Sequence, residues 1–473
     1  MNPSPRSPLP ASPIPDHCRP LLARLTQALG PASLLASAAE REVYARDNTG
    51  LRHLPWAVVL AGNRQEVEIT LRLCHEAGVP VIPRGAGTGN VGGALAVQGG
   101  VVLSLQRMNR ILEVSVGDRL AVVEPGVVHA DLQAHLQPHG LLWPPDPSSS
   151  CSCSIGGNLA MCAAGAHAVR HGVTRDWVLG LEAVLVDGTP FRTGGRTTKG
   201  VVGYDLTRLL IGSEGTLAVI TQATLKLAPI PEARRLVRAL FPSVAEATRG
   251  VCALMAEGET PDAIEFLDGS ALDLLRQTGT VSLPPDGQAM LLLEVSGSAA
   301  TIGPSTDAIV DRLTRFACLE LLQAEAGEAT TIWAARYALS PTLKKLAPRR
   351  INEDVVVPVS RLPELMAGLA DIARTWQIPI VNFGHAGNGN IHVNLLVNPA
   401  DARQMEAVPP ALEQVFRLVL DLGGSLSGEH GIGIQKQPFL PWEVDATALL
   451  LQQRIKAVFD PRGLLNPGKI FPD

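Results

Sequence analysis

The sequence has no long apolar run, no cluster of basic residues and no well-spaced pair of cysteines. Nothing in it approaches the roughly 18 consecutive apolar residues of a membrane-spanning helix. The proline-rich opening MNPSPRSPLPASPIPDHC lacks the apolar core of a secretory signal and predicts a disordered arm over residues 1–20. The formal charge of -5 is spread along the chain, so neither nucleic acid nor a polybasic membrane contact is expected.

The seven cysteines are scattered and odd in number, and the close pair Cys151 and Cys153 is too tight for the CxxC spacing of zinc and redox sites. This number and spacing of cysteines fits reduced thiols in a cytoplasmic protein. A cytoplasmic protein of this kind can also contact an inner membrane peripherally. At 473 residues the chain is long enough for two or three domains with ample cores. These properties indicate an enzyme that acts on a small molecule, and a homodimer is compatible with them.

Short strands alternate with glycine-rich turns between residues 55 and 229. The runs AVVLAG, VPVIPRG, GGVVLSL, LAVVEPGV, LGLEAVLVDG and GTLAVITQATLKL are rich in β-branched residues, which is typical of strands. Residues 64–77 predict one covering helix. The pattern predicts an α+β domain over residues 21–229, with loops that bring the backbone close to a ligand.

The pattern changes after the segment APIP at residues 228–231, where glycine becomes sparse. Residues 243–257 predict an amphipathic helix, and MLLLEVSG, EDVVVPVS and IHVNLLV predict strands. This alternation predicts a second domain over residues 230–440, an antiparallel sheet backed by helices. The last stretch, residues 441–473, predicts a helix from Ala446 and a return to the first domain.

A glycine-rich loop follows one of the predicted strands. Gly87, Gly89 and Gly92 formally match the G-x-G-x-x-G of dinucleotide-binding folds, and Glu113 lies near the spacing of the acid that binds a ribose there. That interpretation requires a helix directly after the loop, but a second pair of glycines and the strand-like VVLSL follow instead. We therefore expect a loop between two strands whose N–H groups wrap a pyrophosphate. A purely structural glycine turn is the alternative.

Several ordered motifs resemble those of the vanillyl-alcohol oxidase and p-cresol methylhydroxylase flavoproteins, from about residue 40 to the end of the chain. They are PRGAGTGNVGGAL, PPDPSSSCSCSIGGNLAMCAAGAHAVRHGVTRDWVLGLEAVLVDG, KGVVGYDLTRLLIGSEGTLAVITQATLKL, NFGHAGNGNIHVNLL, SGEHGIGIQK and FDPRGLLNPGKIF. The branch that they resemble contains D-lactate dehydrogenases, glycolate oxidase flavoprotein subunits and D-2-hydroxyglutarate dehydrogenases. The resemblance implies a two-subdomain FAD-binding domain, a cap domain and a C-terminal segment packed on the FAD-binding domain.

The resemblance also implies noncovalent FAD and the residues that surround it. Small side chains there would let backbone N–H groups approach the cofactor. One departure is MCAAG at residues 161–165, where many relatives carry an asparagine and a second glycine. The implied pyrophosphate set is Pro83, Arg84, Gly85, Ala86, Gly87, Thr88, Gly89, Asn90 and Gly93. The implied isoalloxazine and ribityl set is Pro145, Asp146, Ser148, Ser154, Gly156, Gly157, Asn158 and Gly165. The adenine side has Glu214, Gly215 and Ile220, and Asn466 is also implied at the cofactor.

Two glycine-hinged segments of the second domain, HAGNGNIH and GEH, carry polar residues in a pattern typical of metal sites. Two imidazoles and a carboxylate suit Zn²⁺, and also Mn²⁺ or Fe²⁺, and leave room for a substrate. His392 and Asn394 lie two apart on a predicted strand and so share a face. The resemblance assigns His385, His392 and Glu429 to the metal, Asn394 to the substrate and His430 to the general base. The HExxH motif of zinc proteases is absent.

A 2-hydroxy acid carries a carboxylate, which needs a cation. Arg336 in WAARYALSP aligns with the substrate arginine of the family, and its guanidinium can bind a carboxylate through two parallel hydrogen bonds. Ser340 lies one helical turn later and would share its face. Arg349 and Arg350 are interpreted as solvated charges. The hydroxyglutarate branch has a lysine where this chain has Asn352, which favours a monocarboxylate such as lactate.

The expected reaction is the metal-assisted oxidation of a small D-2-hydroxy acid to the 2-oxo acid, with hydride passing to flavin N5 and a proton to His430. D-lactate is favoured over glycolate and D-2-hydroxyglutarate. Electrons would then leave to a quinone, a cytochrome, an electron-transfer flavoprotein or an iron–sulfur subunit. Two alternatives stay open: an alkyl-glycerone-phosphate synthase, which uses FAD without net oxidation, and a flavin subunit of a larger membrane-associated complex.

Overall fold

The structure of the protein is a computed structural model that describes residues 14–258, 260–279 and 282–472. The chain forms several β-sheets that are covered by helices. The predicted α+β class is confirmed. The strands of the first half are β1 (Leu34–Leu35), β2 (Ala57–Leu60), β3 (Val81–Arg84), β4 (Val101–Ser104), β5 (Ile111–Ser115), β6 (Leu120–Val123), β7 (Leu141–Leu142), β8 (Val178–Val184), β9 (Pro190–Gly194), β10 (Val219–Lys226) and β11 (Ala228–Pro229). Those of the second half are β12 (Ala233–Phe241), β13 (Ala263–Asp268), β14 (Ala289–Gly297), β15 (Glu320–Ala324), β16 (Arg349–Val356), β17 (Ile380–His385) and β18 (Asn390–Val397).

The helices lie between these strands and against their faces. Those of the first half are α1 (Arg19–Leu29), α2 (Ala38–Glu42), α3 (Arg64–Ala77), α4 (His129–Leu136), α5 (Ile155–Met161), α6 (Ala168–His171) and α7 (Leu206–Leu210). Those of the second half are α8 (Val244–Ala256), α9 (Gly269–Thr278), α10 (Ile302–Leu313), α11 (Ala326–Leu346), α12 (Leu362–Trp376), α13 (Ala402–Asp421), α14 (Leu440–Glu443) and α15 (Ala446–Phe459).

The first half contains two larger sheets and a two-stranded sheet of β11 and β7. The order β1-β2-β4-β3 combines parallel pairs with one antiparallel edge, and β5-β6-β10-β8-β9 is antiparallel throughout. The predicted covering helix is confirmed as α3, whose N-cap Asn63 accepts from the N–H of Glu66 and which ends at Gly78 in the left-handed conformation. Its apolar face packs on β2–β4 and completes one core. The glycine-rich loop runs from β3 to β4 without a helix, as predicted.

The second half forms one antiparallel sheet of order β15-β12-β14-β13-β17-β18-β16. Helices α8, α10, α12 and α13 bury their apolar sides on one face, and α9 and α11 bury theirs on the other. This is the predicted antiparallel sheet backed by helices. Because strands β13, β17, β18 and β16 are adjacent, their polar side chains come together although they are far apart in the sequence.

The opening of the chain differs from the prediction where it is described. Residues 1–13 of the predicted arm lie outside the described residues. Residues 16–18 form a helical turn, α1 begins at Arg19, and Cys18 is buried with Leu21 in the first core. The predicted disorder over residues 1–20 is therefore wrong for residues 14–20, because these apolar side chains have a core to enter.

The C-terminal segment contacts the first half. The N–H of Val81 donates to the carbonyl of Leu464, and the N–H of Asn466 donates to the carbonyl of Val81, each at 2.8 Å. Lys456 donates to the carbonyl of Thr216 at 2.7 Å. We propose the division into residues 21–229, 230–440 and 441–473 on these contacts and on the change of sheet after β11.

None of the helices in the described part of the chain combines the length and the hydropathy needed to cross a bilayer.

Candidate active site

A cavity of about 350 Å³ lies where loops of the first half meet α11 and β16–β18. Its wall contains the glycine-rich loop after β3, the first turns of α5 and the segment before β10. Of the predicted cofactor residues, all line this cavity except Pro145, Gly165 and Asn466. The fold therefore brings the separate cofactor motifs of the sequence to one surface.

At some glycines of the wall, neighbouring protein atoms leave no space for a Cβ atom, whereas at another glycine the space is open. A Cβ atom at Gly85 would lie 2.2 Å from Oγ of Ser154, and Gly87 has a φ of +73° with the Arg84 guanidinium against it. At Gly89, in contrast, no atom lies within 4 Å of an added Cβ and the backbone is not left-handed. The protein itself would accept a side chain there, so the missing Cβ fits a wall that a ligand approaches closely.

The three predicted residues outside the cavity lie behind its wall. A Cβ at Gly165 would come within 2.1 Å of the carbonyl oxygen of Asp146, so that glycine supports a residue that does line the cavity. The Asn466 amide donates to the carbonyl of Gly93 at 2.9 Å. Pro145 precedes Asp146 in the same segment. In this structure these residues hold the lining backbone in place, which is a different role from the direct cofactor contact that the resemblance implies.

Glu214 lines the cavity, but its carboxylate is already engaged. Its two oxygens accept from the N–H groups of Ile432 and Gly433 at 2.8 and 2.9 Å. Burial raises the pKa of Glu214 to about 7. The residue joins the first half of the chain to the loop that carries His430, so its contribution to an adenine site would come from its backbone.

His385, His392 and Glu429 converge at the other end of the cavity. Nε2 of His385 and Nε2 of His392 lie 3.6 and 3.4 Å from Oε1 of Glu429, too far for good hydrogen bonds. Oε2 of Glu429 has no partner in the described residues. Ligands at about 2.0–2.1 Å from a tetrahedral zinc lie about 3.3–3.4 Å apart. The donor types and the spacing of these three side chains therefore fit a divalent metal ion.

The electrostatic surroundings of the two histidines differ. Burial opposes charge on His385, but the carboxylates of Glu265 and Glu429 raise its pKa well above the ordinary value. Burial, His385 and His430 lower the pKa of His392 well below the ordinary value. The site thus attracts positive charge between two carboxylates while keeping one imidazole neutral, the form that binds a metal.

Glu265 on β13 was not predicted as a site residue. It pairs in register with His385, and its carboxylate accepts from Nδ1 of that histidine and lies 2.5 Å from the Arg336 guanidinium. It is fully enclosed, at 1% exposure. One carboxylate therefore orients a candidate metal ligand and the candidate substrate arginine together. An acid inside the apolar run AIEFLD is the signal for such a residue, but the sequence does not show its partners.

Asp354 on β16 is a second residue that the sequence interpretation missed. Its Oδ2 accepts from Ser427 Oγ and from the N–H groups of residues 428–430 at 2.8 to 2.9 Å. Burial opposes its charge, but His430 and Lys436 hold the pKa of Asp354 well below the ordinary value. Asp354, His392 and His430 could also be considered as metal ligands. Because Asp354 is used to fix the backbone of the GEH loop, the set containing Glu429 fits a metal better.

His430 faces both halves of the cavity. Its Nε2 lies 3.1 Å from the Asn90 amide nitrogen and 3.9 Å from Oε1 of Glu429, and its ring stacks on His392. An amide that donates to Nε2 selects the neutral tautomer with its proton on Nδ1, and the amide N–H occupies the lone pair of Nε2. Burial lowers the pKa of His430, with Asp354 and Glu429 acting in the opposite direction. The arrangement can hold a neutral imidazole that accepts a proton.

The predicted substrate residues are only partly brought together. Arg336 and Ser340 line the cavity, and the Arg336 guanidinium lies over the Phe383 ring at 4.8 Å. Asn394 is completely buried and does not line the cavity. Its amide nitrogen donates to the carbonyl of His392 at 3.0 Å, while its Oδ1 has no partner in the described residues. A substrate contact by Asn394 stays a prediction.

Two family models match the chain. One describes an FAD binding domain and matches residues 55–194, and the other describes the C-terminal domain of FAD linked oxidases and matches residues 230–470. The chain is 38% identical over 450 residues to the glycolate oxidase subunit GlcD of Bacillus subtilis, covering 95% of this chain and 96% of that protein. It is 36% identical over 456 residues to a probable mitochondrial D-lactate dehydrogenase of Danio rerio, covering 93% and 90%.

Solved structures share the fold. p-Cresol methylhydroxylase with substrate bound gives a TM-score of 0.81 at 16% identity, covering 98% of this chain and 99% of that chain. An alkyldihydroxyacetonephosphate synthase gives a TM-score of 0.77 at 20% identity, covering 97% and 87%. The predicted p-cresol methylhydroxylase type of fold is confirmed.

Proposed function

The chain belongs to the FAD-linked oxidases, and on that premise we propose that it oxidises a small 2-hydroxy acid, either D-lactate or the achiral glycolate, to the 2-oxo acid. The relatives are named for these two substrates. The observation that carries the proposal is one cavity that combines the cofactor wall of the first half with His385, His392, Glu429, Arg336 and His430 of the second.

Different residues of the cavity bind the substrate and accept its proton. Arg336 presents a buried guanidinium at the wall, where it can donate hydrogen bonds to the substrate's carboxylate. Nε2 of His430 accepts the proton of the substrate hydroxyl, because burial lowers the pKa of the imidazole and the hydroxyl can take the position of the Asn90 amide at that atom. Bound FAD supplies the two-electron acceptor for the hydride from the substrate carbon.

We propose that His385, His392 and Glu429 hold a divalent metal, with zinc as the first candidate and Mn²⁺ or Fe²⁺ as the others. Such an ion supplies positive charge that lowers the pKa of a substrate hydroxyl. The proposal is supported by the spacing of the three donor atoms and by the unpartnered Oε2 of Glu429.

The electrons must leave through a separate acceptor, for which a quinone, a cytochrome, an electron-transfer flavoprotein and an iron–sulfur subunit are the candidates. One observation favours work within an assembly: the relative from Bacillus subtilis is named as a subunit. Co-purification with an iron–sulfur chain would support that second form of the proposal.

The test is anaerobic bleaching of the flavin absorbance with D- and L-lactate, glycolate and D-2-hydroxyglutarate, before and after treatment with a chelator. We expect D-lactate or glycolate to bleach the flavin, L-lactate to be inactive, and the chelator to slow the reaction until metal is restored. A flavin that no 2-hydroxy acid reduces would exclude the proposed reaction. If the chelator removes the metal and the rate of flavin reduction does not change, the proposed role of the metal is excluded and the proposed oxidation is not.

A further inference from the structure

The positive charge of Arg336 is already balanced inside the protein. Its guanidinium lies 2.5 Å from Oε2 of Glu265, and both residues are buried, with Arg336 5% exposed and Glu265 1% exposed. The pair is therefore close to neutral as seen from the cavity. A substrate carboxylate that met only Arg336 would also meet the field of Glu265 behind it.

Arg350 is a second arginine on the same wall, although the sequence interpretation took it as a solvated charge. It lies on β16, two residues from Asn352 and four from Asp354, so all three belong to one face of the strand. Arg350 and Asn352 both line the cavity. Arg349, on the opposite face, is exposed.

The Arg350 side chain is fixed in position without being neutralised. Its NH1 donates to the carbonyl oxygen and to Oγ of Ser340 at 2.8 and 2.6 Å. Within the described part of the chain no carboxylate forms an ion pair with it, and burial alone shifts its pKa. Burial lowers the pKa of Arg350 to about 10, so the guanidinium remains charged at neutral pH. Two oxygens of one serine thus hold a cation that has no carboxylate partner among the described residues.

Register places this cation near the reacting end of the cavity. Asn352 pairs with Asn394 and Asp354 pairs with His392 across β16 and β18. Arg350 and Asp354 are therefore about 13 Å apart along the strand, measured at their Cα atoms, and Asn352, which lies between them, also lines the cavity. Its charge also adds to the effect of burial on the pKa of His430.

We propose that Arg350 is the residue that forms the ion pair with the substrate's carboxylate, while Arg336, balanced by Glu265, adds hydrogen bonds. This inference rests on the proposed function, because it takes the substrate to be a 2-hydroxy acid, and it names the group that selects for the acid. Ser340 is the positioning residue that aims Arg350. The carboxylate of an anionic substrate then neutralises the charge of Arg350, whereas an uncharged analogue leaves that charge unpaired.

The experiment compares D-lactate with the uncharged D-lactamide in Arg350→Gln and in the matched control Arg349→Gln. Binding of each is measured from the concentration dependence of anaerobic flavin reduction, and binding of oxalate is measured by calorimetry without turnover. A charged hydrogen bond contributes about 1.5–3 kcal/mol, so the Kd of D-lactate should rise about tenfold to a hundredfold in Arg350→Gln. Oxalate should weaken similarly, D-lactamide should be unaffected, and Arg349→Gln should match the wild type.

Equal losses for D-lactate and D-lactamide would overturn the inference, because they would indicate a structural role. So would a loss no larger than that of Arg349→Gln. Should Arg350→Gln not fold, Ser340→Ala tests the same idea, since it removes one of the two acceptors while keeping the charge. We expect it to weaken D-lactate and oxalate but not D-lactamide, and no selective loss would count against the proposal. Failure of the wild-type flavin to respond to any hydroxy acid would reject the proposed function, while oxalate binding would still report on Arg350.

Discussion

Replacement of Glu265 by glutamine should separate two effects of a single buried carboxylate. The change keeps the size of the side chain and one acceptor oxygen, but it removes the charge that balances Arg336. Arg336 is only 5% exposed, so its guanidinium would stay buried without a counterion. Breaking a buried pair in this way costs about 3–5 kcal/mol of folding free energy. Because whole domains are stable by about 5–15 kcal/mol, the variant should fold with a lower denaturation midpoint.

The same substitution should weaken metal binding. Glu265 accepts from Nδ1 of His385 and so orients the ring whose Nε2 faces Glu429. Loss of such a supporting carboxylate typically weakens metal affinity by about tenfold to a hundredfold. Denaturant unfolding of the metal-free protein measures the first effect. Zinc titration by calorimetry measures the second.

A double variant distinguishes these effects. Adding Arg336→Met to Glu265→Gln removes the uncompensated charge, so stability should recover while metal affinity stays low. Asp268→Asn is the matched control, because Asp268 is a buried acid on the same strand that bonds to Asn382 and does not line the cavity. It should reduce stability without changing metal affinity. Unaltered zinc binding in Glu265→Gln, or no recovery of stability in the double variant, would refute the reasoning.

Three further variants test other parts of the site. His430→Ala should keep bound flavin but reduce it with D-lactate at least about a hundredfold more slowly, within the range of general base catalysis; retained turnover would remove His430 as the base. Gly89→Ala should fold and melt like the wild type, because its Cβ meets no protein atom within 4 Å, yet bind FAD more weakly in a fluorescence titration; unchanged affinity would place the cofactor elsewhere. Asp354→Asn should loosen the loop of residues 427–430, because it replaces the charged acceptor of four donors, and should lower kcat without releasing FAD; full activity would show that the loop does not need this anchor.

Local patterns in the sequence determined the elements and much of the site. The helix predicted over residues 64–77 has those bounds, because its apolar stripe lies between an N-cap asparagine, Asn63, and a terminal glycine, Gly78. The absence of a helix after the glycine-rich loop also followed from the sequence, since glycine disfavours helix. His385, His392 and Glu429 were expected together from motif and resemblance, and the fold brings them within 4.8 Å.

Only the tertiary structure decided which charges face one another. Glu265 meets His385 through the register of β13 and β17, and Asp354 meets His392 through that of β16 and β18, pairings between residues 120 and 38 positions apart. A one-residue slip in either register would send these side chains to the opposite face. The sequence therefore presented Arg336 as the free cation and Arg350 as a surface charge. The fold instead packs α11 against β13, which gives Arg336 a buried carboxylate partner, and it places Arg350 of β16 on the cavity wall with no carboxylate partner among the described residues.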